Sequence, residues 1–231
     1  MADERREDLV RRFFSGTGPT YDRIVHLSTL GVDRYWKKKI LNLIPEHPTS
    51  ILDQACGTGI LTFEIARRFP GCRVTGVDLT KEYLTAAKEK AMKMNLRNVE
   101  FILGKAEEVF LDGRFDCITS SYLAKYADLQ TLIRNNGEML RAGGMLMMHD
   151  FTYPARRLPA GILDLYFKLL RKIGNWKYPQ WKTVLHELPE LMKKTDWVPT
   201  LISLLKENRF SEIRVDSLTF GVSTLVSATK L

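Results

Sequence analysis

The segment LDQACGTG, residues 52–59, constrains this chain more than any other stretch. An apolar run ends at Asp53, and Gly57 and Gly59 bracket Thr58 immediately before a helix-forming sequence. A backbone that turns sharply from strand to helix beside a ligand needs residues without a Cβ. The free N–H groups and positive dipole end of the next helix suit a carboxylate or phosphate. Asp78 closes the following apolar run, RVTGVD (73–78). An acid at that strand end accepts hydrogen bonds from both hydroxyls of a ribose.

Two nucleoside ligands satisfy this pattern, a dinucleotide and S-adenosylmethionine. The dinucleotide fingerprint requires a third glycine three positions after Gly59, and that position is Thr62. The strand–helix alternation also begins only at residue 50, behind a helical segment, and the chain closes with two strand-like runs. These features favour S-adenosylmethionine.

The alternation runs through SILDQ (50–54), a helix over 60–69, RVTGVD, and a helix over 81–95 with Thr80 as its N-cap. It continues through NVEFIL (98–103), RFDCITSS (114–121), a helix over 129–140 and GMLMMHDF (144–151). Strands separated by amphipathic helices predict a parallel sheet covered on both faces. The runs 211–218 and 222–230, joined near Gly221, predict a terminal antiparallel hairpin. The expected fold is a Rossmann-like, doubly wound α/β sheet of seven strands in a single domain. Within it, residues 1–48 read as an N-terminal helical cap and 49–151 as the cofactor-binding core. Residues 155–209 read as a helical insertion and 211–231 as the hairpin. In the insertion, Leu163, Tyr166, Phe167 and Leu170 repeat at helical spacing, as either core or the lining of an apolar channel.

The 231 residues hold three cysteines without a CxxC pair or a nearby histidine cluster, so neither a metal nor a disulfide framework is expected. The charged N-terminus does not read as a secretory signal, and no apolar stretch is long enough to span a bilayer, so a cytoplasmic location is expected. The formal charge is +8, and residues 155–198 carry nine Lys and Arg against four acids, with three of the four tryptophans. Such a segment is either a solvated helical face or a basic, aromatic surface for peripheral contact with anionic lipid. No Asp/Asn-Pro-Pro-aromatic motif is present, so no nucleic-acid partner is expected.

The chain resembles the class I S-adenosylmethionine-dependent methyltransferases, and more closely the family that C-methylates quinone rings in ubiquinone and menaquinone biosynthesis. The stretch YDRIVHLSTLGVDRYWKK (21–38) is similar to that family's signature at Tyr21, Asp22, Ser28, Gly31, Trp36 and Lys37. LDQACGTG resembles its first cofactor motif, and RFDCITSSYL its fourth strand. RAGGML (141–146) resembles the turn before its fifth strand, and SLTFGV (217–222) its terminal hairpin.

The chain departs from the family pattern at Ile24 and Val25, at Asp33 (where a histidine is usual), at Lys105 after strand three and at Ala142. It departs again at Lys125 and Tyr126, in place of an arginine–asparagine pair on the substrate side. The resemblance implies S-adenosyl-L-methionine bound by Tyr21, Asp53, Ala55, Gly57, Thr58, Gly59, Asp78, Leu79, Lys105, Ala106, Glu107 and Ser120. It implies a small, lipophilic aromatic acceptor, expected to be a prenylated quinol or related phenol; the sequence leaves the oligomeric state open, with a homodimer as one option. Lys125 is the leading catalytic candidate, with Asp33 and His149 behind it. Because the departures cluster on the substrate side, two alternatives stay open: methyl transfer to another small molecule, and a catalytically silent protein of the same fold.

Overall fold

The computed structural model describes residues 2–231, with side chains from residue 6 onward. Seven strands form one sheet, ordered β3-β2-β1-β4-β5-β7-β6. They are β1 (Ser50–Gln54), β2 (Arg73–Asp78), β3 (Val99–Leu103), β4 (Phe115–Ser121), β5 (Leu140–Phe151), β6 (Phe210–Leu218) and β7 (Ser223–Lys230). The first five run parallel, while β7 is antiparallel to both β5 and β6. Strand order reverses between β1 and β4, so the crevice outside their carboxyl ends is the expected ligand position.

Alternation along each strand divides the core in two. Leu52, Ile118, Leu146 and Val226 face one side of the sheet. Their chain neighbours Ile51, Cys117, Met147 and Leu225 face the other. The first side is covered by α6 (Leu129–Met139) and α9 (Trp197–Glu207), the second by α3 (Val32–Leu43) and α4 (Ile60–Arg68). Both faces of the central strands are dry, hence their continuous apolar sequence. Cys56, Cys72 and Cys117 are buried as free thiols.

Four boundaries refine the sequence reading. The N-terminal segment forms α1 (Ala2–Phe14), α2 (Tyr21–Ser28) and α3, because Leu30 and Gly31 take left-handed backbone angles between the last two. Thr80 precedes α5 (Lys81–Lys93), but its hydroxyl makes no capping bond. The RAGG stretch interrupts β5 itself, where pairing with β4 jumps from Phe115–Leu140 to Cys117–Met145. The helical segment after residue 155 divides: α7 (Arg157–Lys177) and α8 (Lys182–Lys194) lie over the crevice, whereas α9 joins the main core through Trp197, Leu201 and Leu205.

Among the described residues no helix is long and apolar enough to cross a membrane.

Candidate active site

The glycine turn is held from below and from the side. Asp53 is buried at the end of β1 and accepts from the Thr62 hydroxyl at 2.6 Å and the Thr119 hydroxyl at 2.9 Å. Burial pushes its carboxyl up to about 6, with the two hydroxyls opposing that rise. Thr62, where a dinucleotide site would need glycine, is thus a clamp on Asp53. Asp78 accepts from the Gly57 N–H and the Thr80 N–H, each at 2.8 Å through a different oxygen. Each oxygen keeps acceptor capacity for a further hydroxyl. Burial raises its pKa, and the two backbone donors lower it.

Gly57 and Gly59 both have φ in the left-handed region, at 57° and 87°. A Cβ at Gly59 would meet the Phe63 ring at 2.5 Å, and one at Gly57 would lie 3.8 Å from the rings of Tyr21 and Tyr83. Those two rings, with centroids 4.9 Å apart, stand over the turn. The Thr58 hydroxyl donates to Asp22, which is also paired with Lys90, so α2 is fastened to the turn and to α5. The preceding loop is fastened too: the Gly16 and Gly18 N–H groups donate to Glu82 at 3.1 and 3.0 Å, and Thr17 and Tyr83 share a hydrogen bond at 2.5 Å.

A cleft of about 100 Å³ opens here, lined by Tyr21, Ala55, Asp78, Leu79, Lys105, Ala106 and Glu107, among others. Of the expected cofactor residues, these seven meet at one surface. Asp53, Gly57, Thr58 and Gly59 support it from behind. Ser120 does not reach it: its side chain is buried in β4, and Ser121, one residue on, lines the cleft instead. Successive strand residues point to opposite faces, so Ser121 rather than Ser120 faces the cleft. Lys105 pairs with Glu7 at 3.0 Å and Glu108 at 3.0 Å, tying α1 across the opening.

Beyond the cleft lies an apolar cavity of about 550 Å³, formed under α7 and α8. The cleft and the cavity share four lining residues: Phe14, Tyr21, Tyr122 and Tyr126. The expected stripe of Leu163, Tyr166, Phe167 and Leu170 lines the cavity. Tyr166 donates to the Ser28 carbonyl at 3.1 Å and the Trp181 indole to the Thr20 hydroxyl at 2.9 Å, bracing the cap against the N-terminal segment.

Lys125 lies in the cavity wall, and its ammonium is paired with Asp150. Burial pulls its pKa well down, and the adjacent carboxylate holds the charged form against that. Asp33 and His149, the other catalytic candidates, line neither space. His149 is wholly buried between the Ser121 hydroxyl at 2.9 Å and the Ser223 hydroxyl at 2.5 Å. Burial, then the nearby Lys37 and Lys125, push its pKa well down, so it sits there as a neutral structural ring. Asp33 accepts from Thr29 at 3.1 Å and stands 3.5 Å from the buried Lys37 ammonium.

Sequence reasoning missed Asp150, Tyr83 and Tyr122 as parts of this region, while Tyr126 stands on the acceptor side as the family resemblance implies. Tyr122 follows β4 with φ 68°, and its buried hydroxyl has no hydrogen-bond partner among the described residues. The Lys37 ammonium lies 5.1 Å from the centre of its ring. Only that backbone angle, which no sequence pattern announces in a tyrosine, turns the ring between the two spaces.

The profile of the ubiE/COQ5 methyltransferase family matches residues 1–230. The chain belongs to that family. It is 30% identical over 238 residues to the demethylmenaquinone methyltransferase of Chlorobaculum parvum, covering 100% of this chain and 96% of that one. To the demethylmenaquinone methyltransferase of Bacteroides fragilis it is 27% identical over 232 residues, covering 99% and 95%. Its fold is shared with geranyl diphosphate C-methyltransferase of Streptomyces coelicolor, at a TM-score of 0.63 and 15% identity over 86% of this chain and 79% of that one. This ubiE/COQ5 chain is therefore an S-adenosylmethionine-dependent methyltransferase of the class I fold. The site is suited to that donor: Asp78 has oxygen acceptors to spare, and the left-handed φ of Gly57 and Gly59 lets the backbone turn closely past the cleft.

Proposed function

We propose that this methyltransferase transfers the methyl group to a ring carbon of a prenylated quinol. The observation that carries the reading is the apolar cavity of about 550 Å³ that meets the donor cleft across four aromatic residues and has one buried cation in its wall. An isoprenoid-substituted ring needs that combination: apolar walls for tail and ring, and a positive group near a phenolic oxygen. S-adenosylmethionine, when bound, supplies the methyl group as an electrophilic carbon on a sulfonium.

The protein's own residues then have separate tasks. Asp78, Leu79 and Ala106 hold the nucleoside end, with Asp53 and the glycine turn shaping the backbone beneath. Tyr21, Tyr122 and Tyr126 form the wall where donor and acceptor meet, and their ring faces attract a sulfonium. Lys125 stabilises the phenolate that makes the ring nucleophilic, and Asp150 fixes the ammonium in place. The cap excludes water from the reacting atoms and sets their approach.

The names of the relatives in Chlorobaculum parvum and Bacteroides fragilis support a quinol acceptor. The second reading, methyl transfer to another small molecule such as a simple phenol, is favoured by one observation. Lys125 is already committed to Asp150, and Tyr126 stands beside it where the family carries asparagine.

The test is methyl transfer from labelled S-adenosylmethionine to a panel of demethylated quinols of several tail lengths, simple phenols and RNA. Transfer confined to quinols supports the proposal. Transfer to phenols but not quinols overturns it in favour of the second reading.

A further inference from the structure

Helix α7 presents two unlike faces. Leu163, Phe167 and Leu170 turn toward the acceptor cavity. Leu158, Ile162, Leu165, Leu169, Ile173 and Trp176 stand outward, each between 53% and 87% exposed. At 3.6 residues per turn these six fall within an arc of about 80° and extend roughly 27 Å along the helix. A stripe of that length, unpartnered and apolar, is not what a solvated helix face carries.

Two loop tips continue it. Leu30 is 77% and Phe220 87% exposed, and both hold left-handed backbone angles, φ 52° and 57°. That conformation is costly for branched and aromatic residues, and nothing in the fold is gained by turning them to water. Leu30, Leu158, Ile162 and Phe220 also line the acceptor cavity, so the exposed patch is its rim.

The charge around the stripe has one sign. Arg157, Lys168 and Lys172 follow one side of it at helical spacing. Asp164, the helix's single acid, is occupied by Lys193 at 3.2 Å and the Tyr153 hydroxyl at 2.9 Å.

We propose that α7, together with Leu30 and Phe220, lies on an anionic lipid bilayer and opens the acceptor cavity toward the acyl region. Apolar side chains entering the interface with a basic border against acidic headgroups is how an amphipathic helix binds a membrane surface. A second copy of the chain suits the face less well. A two-fold contact would set Lys168 and Lys172 of each copy among their own kind and would cover the cavity rim. The role as an entry route rests on the lipophilic-acceptor reading; the surface itself does not.

The experiment uses the full chain, sedimented with vesicles of mixed phosphatidylglycerol and phosphatidylcholine and with vesicles of phosphatidylcholine alone. The expected result is binding to the mixed vesicles that weakens with added salt. The variant Leu165→Ser/Leu169→Glu/Trp176→Glu, which leaves the cavity lining alone, should partition roughly tenfold less or weaker still. Its affinity for S-adenosylhomocysteine and its transfer to a short-tailed, water-soluble acceptor should match wild type. Equal sedimentation of wild type and variant overturns the proposal. So does a wild-type dimer that the variant splits into monomers while neither binds vesicles. Vesicle binding without methylation of any quinol leaves the surface standing and removes only the acceptor, whereas quinol methylation in detergent without vesicle binding removes only the surface.

Discussion

Lys125, in the wall of the apolar cavity, forms an ion pair with Asp150 behind it, with side-chain exposures of 1% and 0%. Asp150 is held in turn by the Phe151 N–H at 2.7 Å and the Lys125 N–H at 3.2 Å. A pair this deeply buried is a weak source of net stability, but breaking it leaves an uncompensated charge.

Lys125→Met should therefore destabilise the fold by about 3–5 kcal/mol, and Lys125→Met/Asp150→Leu should recover most of that loss. Turnover should stay at least roughly tenfold down in both, because the cation facing the acceptor is gone. Urea unfolding and single-turnover transfer check the two halves separately. Wild-type turnover in the double variant would take Lys125 out of the chemistry.

Asp78→Ala should weaken binding of S-adenosylhomocysteine by about 1–3 kcal/mol, the cost of leaving buried hydroxyl groups without acceptors. Isothermal titration measures this directly. Unchanged affinity would remove Asp78 from the donor site.

Asp53 gives a pH signature of unusual sign. Its folded-state pKa is raised to about 6 from the ordinary 3.8 of an aspartate, so between these values the folded state binds the extra proton. Stability from this group is thus present at the acid end and lost as pH rises through the folded pKa, by up to about 3 kcal/mol. Asp53→Asn should remove that dependence, leaving a flatter stability curve than wild type between about pH 4 and pH 6. Denaturant melts at a series of pH values test it, and parallel curves for the two proteins would refute it.

Tyr122→Phe should leave stability unchanged or raise it by about 1 kcal/mol, because the hydroxyl removed is buried without a partner among the described residues. A lowered Tm would mean that the hydroxyl is satisfied in solution.

The sheet and its order of elements were legible because strand and helix periods differ and because Asp53, Gly57, Gly59 and Asp78 fall at strand ends. The cleft beside the glycine turn was legible from the same residues, since a sharp turn leaves little choice of amino acid. The acceptor side was less legible for a physical reason. Asp150 reads as one more residue of a strand, and its meaning arises only when β4 and β5 pair and bring Lys125 above it. His149 looked chemical in sequence, yet Ser121 and Ser223 occupy both its nitrogens. Partners so far apart in the chain leave no local pattern. The membership of α9 was hidden similarly: its apolar face resembles that of α7, and only packing against α6 assigns it to the core.

Phe14, Tyr21, Tyr122 and Tyr126 each serve as a party wall with a tenant on either side. A change at any of the four is felt by both tenants, so those positions have little freedom to drift. The far half of the cavity, built from α7 and α8, carries no such double duty. Descendants of this chain could take up a differently shaped acceptor by altering those two helices while the methyl-donor half stays as it is.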